Sequence, residues 1–316
     1  MVTSTQSKCL ELYASLLSSG DKVIRGKREV LKTFLVAFFA KGHVLIEDRP
    51  GTGKTTLVKW LAHATGHTFS RIQMTNDLLP SDLVGVSVLN TQSKEFEYHK
   101  GPFFADIVLL DELNRASPKT QSACLQAMEE SAVTVDGRTY PLPENFQIVA
   151  TQNPFDEYGT YPIPESQLDR FMFCFSVGYL DRETEVEVLK THGTADTELN
   201  LKDSVTKMSA DLLKSIREDI KKVLVSDTLA ANIRTILEIS RAHQKEFEPL
   251  SVRAGLALVQ AVRTHAYLEA KQYCDLDDLV WAAPLVLSHR LNANQKGSHL
   301  VDSFGVKKIL SMAGFV

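Results

Sequence analysis

The sequence predicts an α/β protein, a sheet covered by helices, followed by an all-helical C-terminal part. Three observations carry this. Short continuous apolar runs alternate with helical patterns in the first part of the chain, a glycine-rich loop joins one such run to a helix, and beyond about Ser209 apolar residues recur only at helical spacing.

HVLIE (His43 to Glu47), DIVLLDE (Asp106 to Glu112), FQIVATQ (Phe146 to Gln152) and FMFCF (Phe171 to Phe175) are continuous enough to be buried parallel strands, and SRIQMT (Ser70 to Thr75) makes a fifth. KTTLVKWLAHATG and SPKTQSACLQAMEESA carry apolar residues three and four apart and read as helices, the second opened by Ser117 as cap and Pro118 in the first turn. Two short insertions interrupt the pattern, VSVLNTQSKEFEYH and VTVDGRTYPL, the second with Asp136-Gly137 as a hairpin turn. Thr191 to Ser209 is polar and irregular and reads as a linker. Leu212 to Val223, Ser226 to Gln244, Ser251 to Ala270 and Leu276 to Leu291 then suggest a four-helix bundle. The expected division is 1–190 for the α/β unit with its two hairpins, 191–209 for the linker and 210–316 for the helical unit.

The 316 residues carry 35 basic and 39 acidic side chains, a formal net charge of -4, so no whole-chain field recruits nucleic acid or anionic lipid. Cys9, Cys124, Cys174 and Cys274 stand far apart without a C-x-x-C pair, which argues against a zinc site or disulfide framework and for a reducing compartment. The N-terminal stretch lacks the basic start and apolar core of a leader, and no run is long enough to span a bilayer. A soluble cytoplasmic protein is expected.

IEDRPGTGKTTL, Ile46 to Leu57, departs at one position from the phosphate-binding pattern G-x-x-x-x-G-K-[ST]: Asp48 stands where the first glycine belongs. The context supports the loop, since strand HVLIE enters it and helix KTTLVKWLA leaves it. The segment Pro50, Gly51, Thr52, Gly53, Lys54, Thr55 and Thr56 is therefore expected to wrap phosphate with backbone N–H groups at a helix N-terminus. Lys54 would bridge the terminal phosphates of ATP and the Thr55 hydroxyl would coordinate Mg2+. Asp48 is expected to be tolerated, because aspartate enters left-handed conformations readily and bonds nearby N–H groups. Its replacement by glycine is expected to leave nucleotide binding intact or better.

IVLLDE is an apolar strand ending in two carboxylates, sensible where the charges emerge at the carboxyl edge of the sheet. Asp111 would hold magnesium through water and Glu112 would orient and deprotonate the attacking water. In ATQNP, the Asn153 amide would position that water or the terminal phosphate, although Asn-Pro is also a common turn.

Together with these, RIQMTNDLLPSDLVG, KGPFFADIVLLDELNRASPKTQSACLQAMEE, GTYPIPESQLDRF and LSVRAGLAL resemble, nearly end to end, the MoxR family of AAA+ ATPases. The resemblance implies an AAA+ P-loop NTPase αβα sandwich with a parallel five-stranded sheet, order 5-1-4-3-2, plus a C-terminal α-helical lid domain. It implies Asn153 as the polar sensor, Arg170 in QLDRF as an arginine finger reaching the ATP of an adjacent subunit, and Arg253 in SVRA as a second, phosphate-reporting sensor on the lid. Val23 and Ile24 in VIRGK would touch the adenine side, with Lys27 where a glutamine is common. Val252 replaces a frequent proline, so the start of that lid helix is expected to be less rigid.

The resemblance further implies a homo-oligomer, a hexameric ring, that couples magnesium-dependent ATP hydrolysis to chaperone-like remodelling, assembly or activation of client complexes. That includes insertion of metal cofactors, often with a von Willebrand factor A domain partner. Phe96, Tyr98 and Tyr140 in the two hairpins would either grip a client or pack within the hairpins. His63 and His67 have metal-ligand spacing but lack the intervening glutamate and read as helix-surface residues. The alternatives are the motor subunit of a chelatase-like complex, a nucleotide-gated scaffold with little turnover and, disfavoured by the acidic balance, a DNA-acting motor.

Overall fold

The computed structural model describes residues 4–155, 159–191, 208–292 and 300–316. Most of the linker expected at 191–209 lies outside them. Two helices open the chain, α1 (Ser4–Val23) and α2 (Arg28–Phe39). Then follow β1 (Val44–Glu47), α3 (Lys54–Thr65), β2 (Phe69–Gln73), α4 (Pro80–Val84), the hairpin β3 (Gly85–Leu89) and β4 (Phe96–Lys100), and β5 (Ile107–Asp111). After α5 (Pro118–Glu130) come the hairpin β6 (Ala132–Val135) and β7 (Arg138–Pro141), β8 (Gln147–Gln152), α6 (Glu165–Leu168), β9 (Phe173–Phe175) and α7 (Arg182–Thr191).

The main sheet has the order β2-β5-β8-β1-β9, with every neighbouring pair parallel. Counting its strands in chain order, this is the expected 5-1-4-3-2. β1, β5 and β9 are buried at every position and β8 at all but the last, whereas the edge strand β2 buries only Ile72, so its alternate residues Arg71 and Gln73 face outward. The alternation of side chains across a strand sorts the apolar residues into two layers. Val44, Ile46, Ile107 and Leu109 join the cluster with α1, α2 and α3, while Leu45, Val108, Leu110 and Ile148 join the one with Leu83 of α4 and Cys124, Leu125 and Met128 of α5. That is an αβα sandwich.

The C-terminal part contains α8 (Ala210–Lys221), α9 (Asp227–Ala242), α10 (Val252–Leu268) and α11 (Leu276–Leu291), the four expected helices, and a further α12 (Phe304–Met312) that the periodicity reading did not include. The four starts are sharply specified. Ser209, Ser226, Ser251 and Asp275 each accept a backbone N–H of the first turn. Ser251 caps the helix that Val252 opens in place of the frequent proline, by accepting Ala254 N. These helices are not a separate core: Leu213, Ile216, Leu258 and Val262 belong to the same apolar cluster as Leu16 of α1 and Phe34 of α2. Among the described residues no helix is long and apolar enough to cross a membrane.

Both insertions are hairpins, as expected. The first is closed by backbones so near that a Cβ on Gly85 would sit 2.1 Å from the His99 carbonyl oxygen. Tyr98 stacks on Tyr140 of the second hairpin, centroids 4.2 Å apart, and its hydroxyl donates to the Val84 carbonyl, so these two rings pack the hairpins together. Phe96 is instead 72% exposed, paired across the hairpin with exposed Leu89, while exposed Val86 and Val88 alternate onto the opposite face.

Candidate active site

Three strands and one loop deliver polar groups to a single cleft of about 430 Å³ at the carboxyl edge of the sheet. Residues 50–56 form one wall, with Gly51 (φ +82) and Gly53 (φ +86) in the left-handed conformation that curls the loop over the N-terminus of α3. A Cβ at either glycine would meet no atom within 4 Å, so the loop is shaped by backbone conformation and leaves its concave side open. Across it stand Arg71, Gln73, Asp111, Glu112, Thr151, Gln152 and Asn153. Pro50 through Thr56, Asp111, Glu112 and Asn153 are thus brought together as the sequence predicted.

Lys54 folds back along its own loop, donating to the carbonyls of Asp48 (3.2 Å) and Arg49 (2.6 Å). Burial lowers its pKa, while the carboxylates of Asp48, Asp111 and Glu112 act in the opposite direction. Asp48 does not adopt a left-handed backbone, so the turn needs no glycine there. The residue is 8% exposed and fully used: its N–H donates to Gln152, Oδ1 accepts from Arg49 N at 2.8 Å, and Oδ2 accepts from Gly178 N at 2.7 Å. Asp48 therefore bolts the loop to the segment after β9, and the expectation that glycine would serve as well is revised, since glycine has no carboxylate to accept either N–H.

The acidic pair is oriented by Thr151, which donates to Asp111 Oδ1 (2.7 Å) and accepts from Glu112 N (2.9 Å). Glu112 has φ +60, uncommon for a side-chain-bearing residue, and the turn is held by Arg115 N donating to its carbonyl. Its carboxylate takes Gln73 Nε2 (2.9 Å) and Arg115 Nε (3.0 Å). Arg71 closes on Asp111 Oδ2 with Nε at 3.2 Å and Nη2 at 2.6 Å. Sequence reading gave Arg71, Gln73 and Thr151 no role; the signal present was the outward period of β2 and a hydroxyl one strand over from the two acids. Asn153 Oδ1 accepts from Phe155 N, leaving the amide NH2 for the cleft.

A nucleotide with magnesium fits this set. The open N–H cradle and Lys54 suit phosphate, and the Thr55 hydroxyl with the Asp111 and Glu112 carboxylates supplies the oxygen donors a hard cation requires. His63 is exposed on α3 as expected, but His67 is not a helix-surface residue: it lies past the end of α3, with its ring edge-on to Phe38 and Nδ1 at the Thr65 hydroxyl.

The two predicted arginines lie outside the cleft and share one partner. Arg170 Nη1 bonds Glu129 Oε2 at 2.5 Å and the Leu125 carbonyl at 2.8 Å, both on α5, and Arg253 Nη2 meets Glu129 Oε1 at 3.1 Å. Arg253 was expected among the nucleotide contacts; the structure places it on Glu129, which Arg170 also bonds. Val23 and Ile24 are likewise not in the cleft: Ile24 is buried and Val23 packs against the large core.

Residues 43–173 match the model of the ATPase family associated with various cellular activities (AAA), and residues 241–303 match the AAA lid domain. The chain is 43% identical over 271 residues to the uncharacterized protein YeaC of Bacillus subtilis, covering 86% of this chain and 84% of that one. It is 36% identical over 279 residues to Chaperone MoxR1 of Mycobacterium tuberculosis, covering 85% and 73%. A crystal structure of a Cytophaga hutchinsonii protein described as a candidate ATPase superposes with a TM-score of 0.83 at 32% identity, covering 98% of this chain and 95% of the other.

Proposed function

The chain belongs to the MoxR family of AAA+ ATPases, and from that premise we propose that it hydrolyses ATP with magnesium to remodel, assemble or activate protein complexes, as a chaperone-like machine. The backbone N–H groups from Gly51 to Thr55 bind the phosphates, and Lys54 exchanges the carbonyls of Asp48 and Arg49 for the terminal phosphate oxygens. Thr55 and Asp111 would hold magnesium, which would supply charge neutralisation at the phosphates. Glu112, held by Gln73 and Arg115, takes the proton of the attacking water, and Asn153 positions that water.

The observation that carries this reading is the incompleteness of the cleft. It holds the loop, both carboxylates and Asn153, but neither Arg170 nor Arg253, which sit together on Glu129. The site is completed in a homo-oligomer, a hexameric ring, where these arginines face the next subunit. The projecting hairpin β3–β4, with exposed Phe96 and Leu89 on one face and Val86 and Val88 on the other, is the client contact, and a client taking up a metal cofactor or a von Willebrand factor A domain partner belongs to the same reading. Four buried free thiols accord with work in the cytoplasm. Arg71 on Asp111 and Lys54 on its own loop favour slow turnover until a partner or client acts, which keeps a nucleotide-gated scaffold as the second reading.

The test is the steady-state ATPase rate per subunit against protein concentration, with magnesium. A rate that climbs with concentration is expected; ATP binding without hydrolysis at any concentration, with or without clients, would overturn the motor reading.

A further inference from the structure

The segment that carries Arg170 is gripped from the lid by a buried arginine. Arg290, near the end of α11 and 5% exposed, places Nε 2.7 Å from Asp169 Oδ1. Its Nη2 donates to the carbonyl of Asp169 at 3.0 Å and to that of Phe171 at 2.9 Å, the residues immediately before and after Arg170. Its Nη1 reaches the Val286 carbonyl on its own helix. A guanidinium has a rigid planar fork of donors, so it fixes the positions of the groups it bonds as well as their charge. Here three of its bonds fall on the two sides of a single residue. Asp169 is also shared: its Oδ2 accepts the Ser251 hydroxyl at 3.1 Å, and Ser251 caps the helix that presents Arg253 two residues later.

Burying an ion pair of this kind contributes little net stability, because desolvation offsets the attraction; what it does supply is one defined arrangement. We propose that Arg290 is the positioning residue for the arginine finger. By bracketing Arg170 through the carbonyls of residues 169 and 171, it sets where that side chain leaves the subunit surface. Through Asp169 and Ser251 it ties that position to the helix of Arg253, so that lid placement and finger placement are one variable. Arg290 acts on the neighbour's nucleotide, not on its own. The inference rests on the reading that Arg170 completes the site of an adjacent subunit.

Subunit mixing tests it with the full chain. Arg290→Lys keeps the charge and loses the fork. Alone it is expected to bind a fluorescent ATP analogue within about twofold of wild type while kcat falls about ten- to a hundredfold, the scale of a misplaced positioning group. Mixed with Glu112→Gln, which keeps a normal Arg170 but loses its own hydrolysis, it is expected to regain turnover well above the sum of the two separate samples. Arg170→Ala mixed with Glu112→Gln is the control. Restoration of Arg170→Ala but not of Arg290→Lys, or wild-type turnover by Arg290→Lys alone, overturns the proposal. No restoration of Arg170→Ala, or no hydrolysis by the wild type, overturns the reading beneath it and the proposal with it. Thermal melts identify a variant that fails to fold, in which case the isosteric Asp169→Asn is read in the same assay against the same outcomes.

Discussion

The Thr151 hydroxyl lies 2.7 Å from Asp111 Oδ1 and accepts the N–H of Glu112 at 2.9 Å, so one side chain orients the carboxylate proposed to hold magnesium and the backbone of the one proposed to activate water. Thr151→Val keeps the shape and removes both bonds. The expected outcome is a fall in kcat of about ten- to a hundredfold with nucleotide affinity changed less than about threefold, measured by steady-state kinetics and analogue binding.

In the proposed mechanism Lys54 serves binding and Glu112 serves chemistry. Lys54→Ala is expected to lose nucleotide affinity, whereas Glu112→Gln should keep it and lose turnover. Equal loss of binding in both variants, in a titration with a fluorescent analogue, would contradict the role given to Glu112.

Asp48→Gly removes two acceptors from a buried, charge-assisted site, leaving the Gly178 N–H without its partner. A destabilisation of about 1–3 kcal/mol is expected by urea unfolding, with weaker ATP binding as the loop loosens. Asp48→Asn, which keeps one acceptor oxygen, should lose less.

Two histidines make the fold acid-sensitive. His43 Nδ1 accepts Ile148 N at 2.9 Å, which places its proton on Nε2 facing the Met128 carbonyl, and burial pushes its pKa down to about 4. Burial, then the adjacent Arg290 charge, holds His289 well below the ordinary range. The unfolded chain takes up these protons near pH 6.5 and the folded chain does not. Their contribution is therefore complete above about 6.5 and lost as pH falls toward 4, with a slope approaching about 1.4 kcal/mol per pH unit for each proton. Urea midpoints measured between pH 7 and 4.5 should fall, and His43→Phe should flatten the decline.

The sheet and the loop were legible because each is a local signal. Continuous apolar runs lead into the phosphate loop after Glu47 and into the polar groups Asp111 and Asn153, and glycines punctuate the loop between strand and helix. Arg71 and Gln73 were not, because their meaning comes from the register that sets Gln73 beside Asp111 across β2 and β5. The position of Arg253 depends on how the lid docks, a relation between segments 124 residues apart that no local pattern encodes. Asp48 shows the limit of motif reading: its mismatch was visible, but the acceptor it provides for Gly178, 130 residues away, was not.

The apolar cluster uniting α1 and α2 with the helices after Ala210 decides where the molecule can bend. Swinging those helices away from their own sandwich would uncover side chains such as Leu16, Phe34, Ile216 and Leu258, each worth about 1.5–3 kcal/mol of burial, against a total stability of about 5–15 kcal/mol for a typical fold. Lid and sandwich therefore turn together as one plate. In the proposed ring the compliant joint would be the seam between plates, where the Glu129, Arg170 and Arg253 of one chain would meet the cleft of the next, and mechanical work would pass as the tilt of whole subunits.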